Sequence, residues 1–169
     1  MSAAASLLYT KQQISTNITL AAEKIIQKLG KEENLIVVGV LKAAYPFLSE
    51  LTLQLPLRFK VDLVTPSKEH RFPCFTDVKI DYSGASVIVV DTIVDSGKTL
   101  NVLTRTLKAF GASRIELCVL LDKKEARLPE YSSLSFINSP LVVPDKFIFG
   151  YGLDNTEYDR NLQNIYIKE

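Results

Sequence analysis

Apolar residues recur at Ile14, Ile18, Ala21, Ala22, Ile25, Ile26 and Leu29, a three-and-four spacing that lines one face of a helix. The pattern predicts a helix over Tyr9 to Leu29, with Gly30 where it would stop. Unbroken apolar runs follow at Leu35 to Val40 and Ser86 to Val90, each suited to a strand buried on both faces. Helical spacing returns over Ala44 to Leu55 and again in LNVLTRTLKAFG, closed by Gly111. Alternation marks Arg58 to Thr65 as a strand, and Arg114 to Leu121 reads as another. Short strand-like pieces lie at Leu141 to Val143, Phe147 to Phe149 and Asn164 to Ile167. Strand, helix, strand, helix, strand with short turns predicts an α/β fold with a doubly wound, mainly parallel sheet.

The 169 residues fit one domain: a core of about residues 30–128 and a small C-terminal hood of about 129–169. Within the core the pattern breaks. The stretch of about 66–84 carries two prolines and many charges between strand-like segments, and reads as a mobile lid over a site.

A formal charge of +1 provides no basic field, so nucleic acid is not an expected partner. The N-terminus lacks a basic start followed by a long apolar stretch, and no segment reaches membrane-span length. Cys74 and Cys118 lie far apart without a CxxC pair or a histidine cluster, which argues for cytosolic thiols and against a zinc site. The expected location is the cytoplasm. The only histidine, His70, falls in the lid segment.

The chemistry concentrates in VIVVDTIVDSGKTL, Val87 to Leu100. Open α/β sheets bind ligands beyond the carboxyl ends of their strands. Ser96, Gly97, Lys98 and Thr99 lead into a helix, so their N–H groups can converge on an anion at its positive end. The best-fitting ligand is a phosphate. Two common phosphate loops are excluded: the position five before Gly97 is Thr92, not the glycine of a P-loop, and Gly39 stands alone where a GxGxxG would be. Asp95 is either a helix N-cap or a functional carboxylate, and the two roles are compatible.

This segment resembles the phosphoribosyl-pyrophosphate-binding motif of the type I phosphoribosyltransferases. GVLKAAYPFLSEL (Gly39 to Leu51) is similar to the first active-site loop of the hypoxanthine-guanine members, and VPDKFIFGYGLDNTEYDR (Val143 to Arg160) to their purine-binding hood. With LLDKKEAR (Leu120 to Arg127), the resemblance runs from about residue 35 to the C-terminus.

The resemblance implies transfer of a 5-phosphoribosyl group from phosphoribosyl pyrophosphate to N9 of hypoxanthine or guanine, in purine salvage. It implies that Ser96, Gly97, Lys98 and Thr99 hold the 5′-phosphate, that Asp91 and Thr92 meet the ribose, and that Asp95 is the catalytic base. Lys42 and Arg160 would face pyrophosphate, with the peptide bond before Lys42 able to be cis. Lys123 would donate to the 6-oxo group, Phe147 would stack on the purine, and the Ile148 backbone and Asp154 would complete its subsite. Magnesium is the implied cofactor, reached by Asp154. A homodimer or homotetramer is the implied assembly. Lys124 and Arg127 read as surface charge.

Three departures stand out. Thr92 stands for the second of two acidic residues, Ala43 and Ala44 stand in place of glycines in the first loop, and no serine-tyrosine pair occurs between Pro66 and Ser83. They keep two other readings open: a regulatory protein that binds phosphoribosyl pyrophosphate or nucleotide with weak or no catalysis, and a xanthine-preferring transferase.

Overall fold

The computed structural model describes residues 5–66, 73–76 and 79–169. Helix α1 spans Lys11–Leu29 and begins two residues after the sequence pattern places it. The reason is local: Thr10 caps it in a reciprocal box, its hydroxyl accepting from Gln13 N while Gln13 Oε1 accepts from Thr10 N. The residues before it form a strand the sequence pattern did not reveal, β1 (Ala5–Tyr9).

The chain then runs through β2 (Leu35–Val40), α2 (Tyr45–Thr52), β3 (Lys60–Thr65), β4 (Cys74–Phe75), β5 (Ser86–Val94), α3 (Lys98–Ala109) and β6 (Arg114–Asp122). Three short strands follow: β7 (Leu141–Val142), β8 (Ile148–Phe149) and β9 (Ile165–Lys168). The main sheet has the order β4-β3-β2-β5-β6-β7, parallel except where β4 pairs with β3. Helices α1 and α2 pack with Val37, Ile88, Val90 and Leu120 on one face. Helix α3 packs with Val38, Val87, Val89 and Val119 on the other, which is the doubly wound arrangement expected.

The hood is a second, three-stranded antiparallel sheet, β1-β9-β8. Ile148 and Ile165 sink into the core under α1 and α2. Its position is secured by Glu50 of α2, whose two oxygens accept from the Ser15 hydroxyl of α1 at 2.7 Å and the Tyr151 hydroxyl of the hood at 2.6 Å. Burial, with the Glu50 carboxylate beside it, pushes the Tyr151 hydroxyl well above the usual phenol range.

Of the expected lid, residues 67–72, His70 among them, and 77–78 lie outside the described residues. Within the described part, Tyr82 is buried and donates to Asp62 Oδ2 at 2.8 Å, fastened to β3.

Candidate active site

Strand β2 sends the chain on to β3 at one side, while its neighbour β5 sends it on to β6 at the other. The chain therefore diverges at the β2/β5 boundary, and a crevice opens beyond the carboxyl ends of those strands. Lys42 follows β2, Asp95 follows β5 and Lys123 follows β6, so residues 81 positions apart in sequence lie at the same carboxyl edge of the sheet.

Strand β5 extends four residues past the apolar run, through Val94. Alternation along it divides the Asp91-Thr92 pair. Asp91 lines a small open pocket with Asp95, Ser96, Gly97 and Thr99. Burial pushes its carboxyl up to about 7, against hydrogen bonds from the Thr92 and Ile93 amides that favour the charge. Thr92 is fully buried, its hydroxyl is without a partner among the described residues, and it is absent from the pocket lining. Lys98, the first residue of α3, also stands outside the lining, and its amide reaches Ser96 Oγ at 3.4 Å.

Gly97, at φ +90°, is the cap of α3, so Asp95 does not take the capping role considered for it. A side chain at Gly97 would strike Tyr131 and Leu134, and the backbone conformation itself favours glycine. The Asp95 carboxylate is more than half exposed. Oδ2 lies 3.5 Å from Lys123 Nζ, which also approaches Asp145 Oδ1 at 3.8 Å. The two carboxylates hold a lysine whose side chain is 11% exposed. The structure thus brings Lys123 to Asp95, two residues the sequence places 28 positions apart.

Arg127 is not surface charge. Its side chain is buried, paired through Nη2 with Asp122 Oδ1, and its Nε donates to the Asp95 carbonyl at 3.1 Å. The segment LLDKKEAR holds both residues, but nothing in its spacing signals that they pair and are buried. The sequence contains only an acid at a strand end and an arginine five residues later.

The peptide bond Leu41–Lys42 is cis. The hood loop closes on this turn: Gly152, at φ +93°, lies so near that a Cβ there would come within 2.0 Å of the Ala43 carbonyl. Arg160 Nη1 donates to the Gly152 carbonyl at 2.8 Å, and Nη2 pairs with Asp154 Oδ1 at 3.0 Å. Glu157 bridges the cations, with Oε2 3.1 Å from Lys42 Nζ and 3.7 Å from Arg160 Nη2. Lys42 and Arg160 therefore share one subsite. Asp154 accepts from the Glu157 amide, and this bond, with Arg160 and Lys42 nearby, holds its carboxyl below the ordinary range.

The Phe147 ring is half exposed and carries Lys168 Nζ 5.5 Å from its centroid. Ile148 is buried and pairs with Ile167 across β8 and β9.

Magnesium usually takes one or two carboxylates plus waters and substrate oxygens. Among the described residues no group of three His, Cys, Asp or Glu forms an all-protein metal cage. Asp154, ionised and partly exposed, retains lone pairs beyond its two contacts, so it fits a metal that arrives with the substrate.

The phosphoribosyl transferase domain model matches residues 5–156. The hypoxanthine-guanine phosphoribosyltransferase of Aquifex aeolicus is 32% identical over 170 residues, covering 96% of this chain and 94% of that one. The enzyme of the same description from Streptococcus pneumoniae is 34% identical over 158 residues, covering 88% and 86%. Among solved structures, a hypoxanthine-guanine phosphoribosyltransferase from Bacillus anthracis superposes with TM-score 0.82 at 27% identity, covering 97% of this chain and 99% of that one. A hypoxanthine phosphoribosyltransferase from Staphylococcus aureus shares the fold with TM-score 0.86 at 24% identity, covering 97% and 92%.

Proposed function

The chain belongs to the phosphoribosyl transferase family, and from that premise we propose how its site works. It is a hypoxanthine-guanine phosphoribosyltransferase of purine salvage, moving the 5-phosphoribosyl group of phosphoribosyl pyrophosphate to a 6-oxopurine. The observation that carries the assignment of roles is the convergence of Lys42, Asp95 and Lys123 at the ends of β2, β5 and β6.

The ribose C1–oxygen bond to pyrophosphate breaks, and a bond from C1 to the purine N9 forms. Positive charge builds on the sugar as the leaving group departs, so the site must stabilise both ends and exclude water. Ser96 to Thr99 hold the 5′-phosphate at the start of α3. The Asp91 carboxylate accepts from a ribose hydroxyl. Lys42 and Arg160 neutralise the departing pyrophosphate, and Glu157 gives way to it.

The purine lies on the Phe147 ring, with its 6-oxo group accepting from Lys123, the Ile148 backbone at its far edge and Asp154 nearby. A 6-amino group offers Lys123 no acceptor, which selects against adenine. Asp95 receives the proton released as the ring nitrogen bonds to carbon. Asp154 would hold magnesium directly or through water, and the metal would supply charge neutralisation for the leaving pyrophosphate.

The cytoplasm is the compartment that suits an exposed Cys74 and a buried Cys118, both free. The working assembly is a homodimer or homotetramer. The described chain contains no helix long and apolar enough to cross a membrane.

The test is nucleotide formation from phosphoribosyl pyrophosphate and magnesium with hypoxanthine, guanine, xanthine and adenine in turn, against Asp95→Asn. Inosine and guanosine monophosphate formation that collapses in the variant supports these roles. Preference for xanthine would redirect the base assignment. Binding of phosphoribosyl pyrophosphate without turnover would identify a regulatory binding protein.

A further inference from the structure

Three successive carbonyls of the phosphate loop turn toward one segment. Val94 O accepts from Lys123 N at 3.0 Å, Asp95 O from Arg127 Nε at 3.1 Å, and Ser96 O from Leu128 N at 3.1 Å. In a trans peptide the C=O and the following N–H point in opposite directions. Fastening these carbonyls to residues 123–128 therefore turns the N–H groups of Asp95, Ser96 and Gly97 away from that segment, toward the crevice. The loop has no glycine-rich sequence to do this by itself, since Gly97 is its only glycine.

Arg127 provides the one side-chain link of the three. It is held from every direction. Asp122 pairs with Nη2, the Phe136 ring lies 5.6 Å from the guanidinium carbon, and Gly97 packs on the arginine stem. Both charged side chains are more than nine-tenths buried, at 9% and 6% exposed. An ion pair buried this deeply is weak evidence for stability, because desolvation offsets its attraction. The geometry accounts for it differently.

We propose that Arg127, oriented by Asp122, is a positioning residue for the 5′-phosphate subsite: it draws the Asp95 carbonyl back so that the loop amides face the phosphate. The inference rests on the reading of residues 96–99 as that subsite. Lys123 belongs to the same segment but is held by its own bonds to Val94 and Asp95, so the 6-oxo donor does not depend on Arg127.

The experiment compares binding of inosine monophosphate with inosine, which lacks only the phosphate, by calorimetry on the full chain. Arg127→Lys should weaken the nucleotide ten-fold or more and leave inosine within two-fold, with a parallel rise in KM for phosphoribosyl pyrophosphate. Because a lone buried Asp122 could unfold the chain, the double variant D122N/R127Q removes both charges and should show the same selective loss. A general packing role would lower melting temperature and weaken both ligands alike. Equal loss of both ligands, or no loss of either, would overturn the inference. A wild-type chain that binds inosine as tightly as its monophosphate would instead overturn the phosphate subsite itself.

Discussion

Glu157 Oε2 sits 3.1 Å from Lys42 Nζ and 3.7 Å from Arg160 Nη2, so one carboxylate oxygen lies between the two cations assigned to pyrophosphate. Lys42 and Glu157 are each about 70% exposed in their side chains, which limits such a pair to about 0.2–1 kcal/mol. Glu157→Gln should therefore tighten pyrophosphate and phosphoribosyl pyrophosphate by roughly 1.5- to 5-fold, with kcat unchanged. Calorimetric titration with pyrophosphate at low and high salt checks it, the gain shrinking as salt screens the pair.

Asp91 makes stability depend on pH. Its folded carboxyl lies at about 7, above an unfolded value near 3.9, so the fold binds the proton more tightly than the open chain. The stabilisation is complete below about pH 4 and is lost as pH rises through 7. Asp91→Asn has no such loss, so its melting temperature should gain on the wild type from pH 4 to 7 and hold that gain above. The ceiling is on the order of 4 kcal/mol. A melting series at fixed ionic strength measures it.

Thr92 hides, at full burial, a hydroxyl without a partner among the described residues. Thr92→Val keeps the shape and removes the desolvated oxygen, so it should be neutral or stabilising by about 1 kcal/mol. KM for phosphoribosyl pyrophosphate should not change. A rise of several-fold would return Thr92 to the ribose subsite.

Lys123 is held between Asp95 and Asp145 with its side chain largely covered. Lys123→Met removes the donor proposed for the 6-oxo group and should lower kcat/KM for hypoxanthine about 10- to 100-fold, the range for a hydrogen bond to a charged group. Preference over adenine should fall by a similar factor, read by competition between the two bases.

Gly152→Ala places a methyl against the Ala43 carbonyl at φ +93°. Strain of about 1–3 kcal/mol should appear as a lower melting temperature. Displacement of the Lys42 turn should raise KM for phosphoribosyl pyrophosphate more than KM for the base, which initial-rate kinetics separates.

Elements that bury a periodic face are legible in the chain. Helix α1 shows its core side as Ile14, Ile18, Ala21, Ile25 and Leu29, and all five are buried. Strand β2 is legible because a strand covered on both faces needs six apolar residues in a row, and LIVVGV supplies them. Strand β5 was legible only to Val90, since Asp91 and Thr92 end the apolar run although the pairing with β6 continues to Val94. The segment proposed to hold the phosphate, Asp95, Lys123 and the hood sequence stand out in the chain because they fall within contiguous motifs.

What required the tertiary structure is contact between segments far apart. Strand β1 is five residues whose partner is β9, 160 residues on, and no local pattern announces such a pairing. The same holds for Arg127, buried by Asp122, Phe136 and Gly97 together. It holds for Glu157, which meets Lys42 only because the hood loop closes on the first turn. Local spacing determined which residues could face a core and which loop could hold an anion, because helical and strand periodicity are properties of neighbouring residues. Which charges are buried, which carbonyls are held back and which cations share a subsite depend on distance through space, and that was decided only when the sheet and hood had formed.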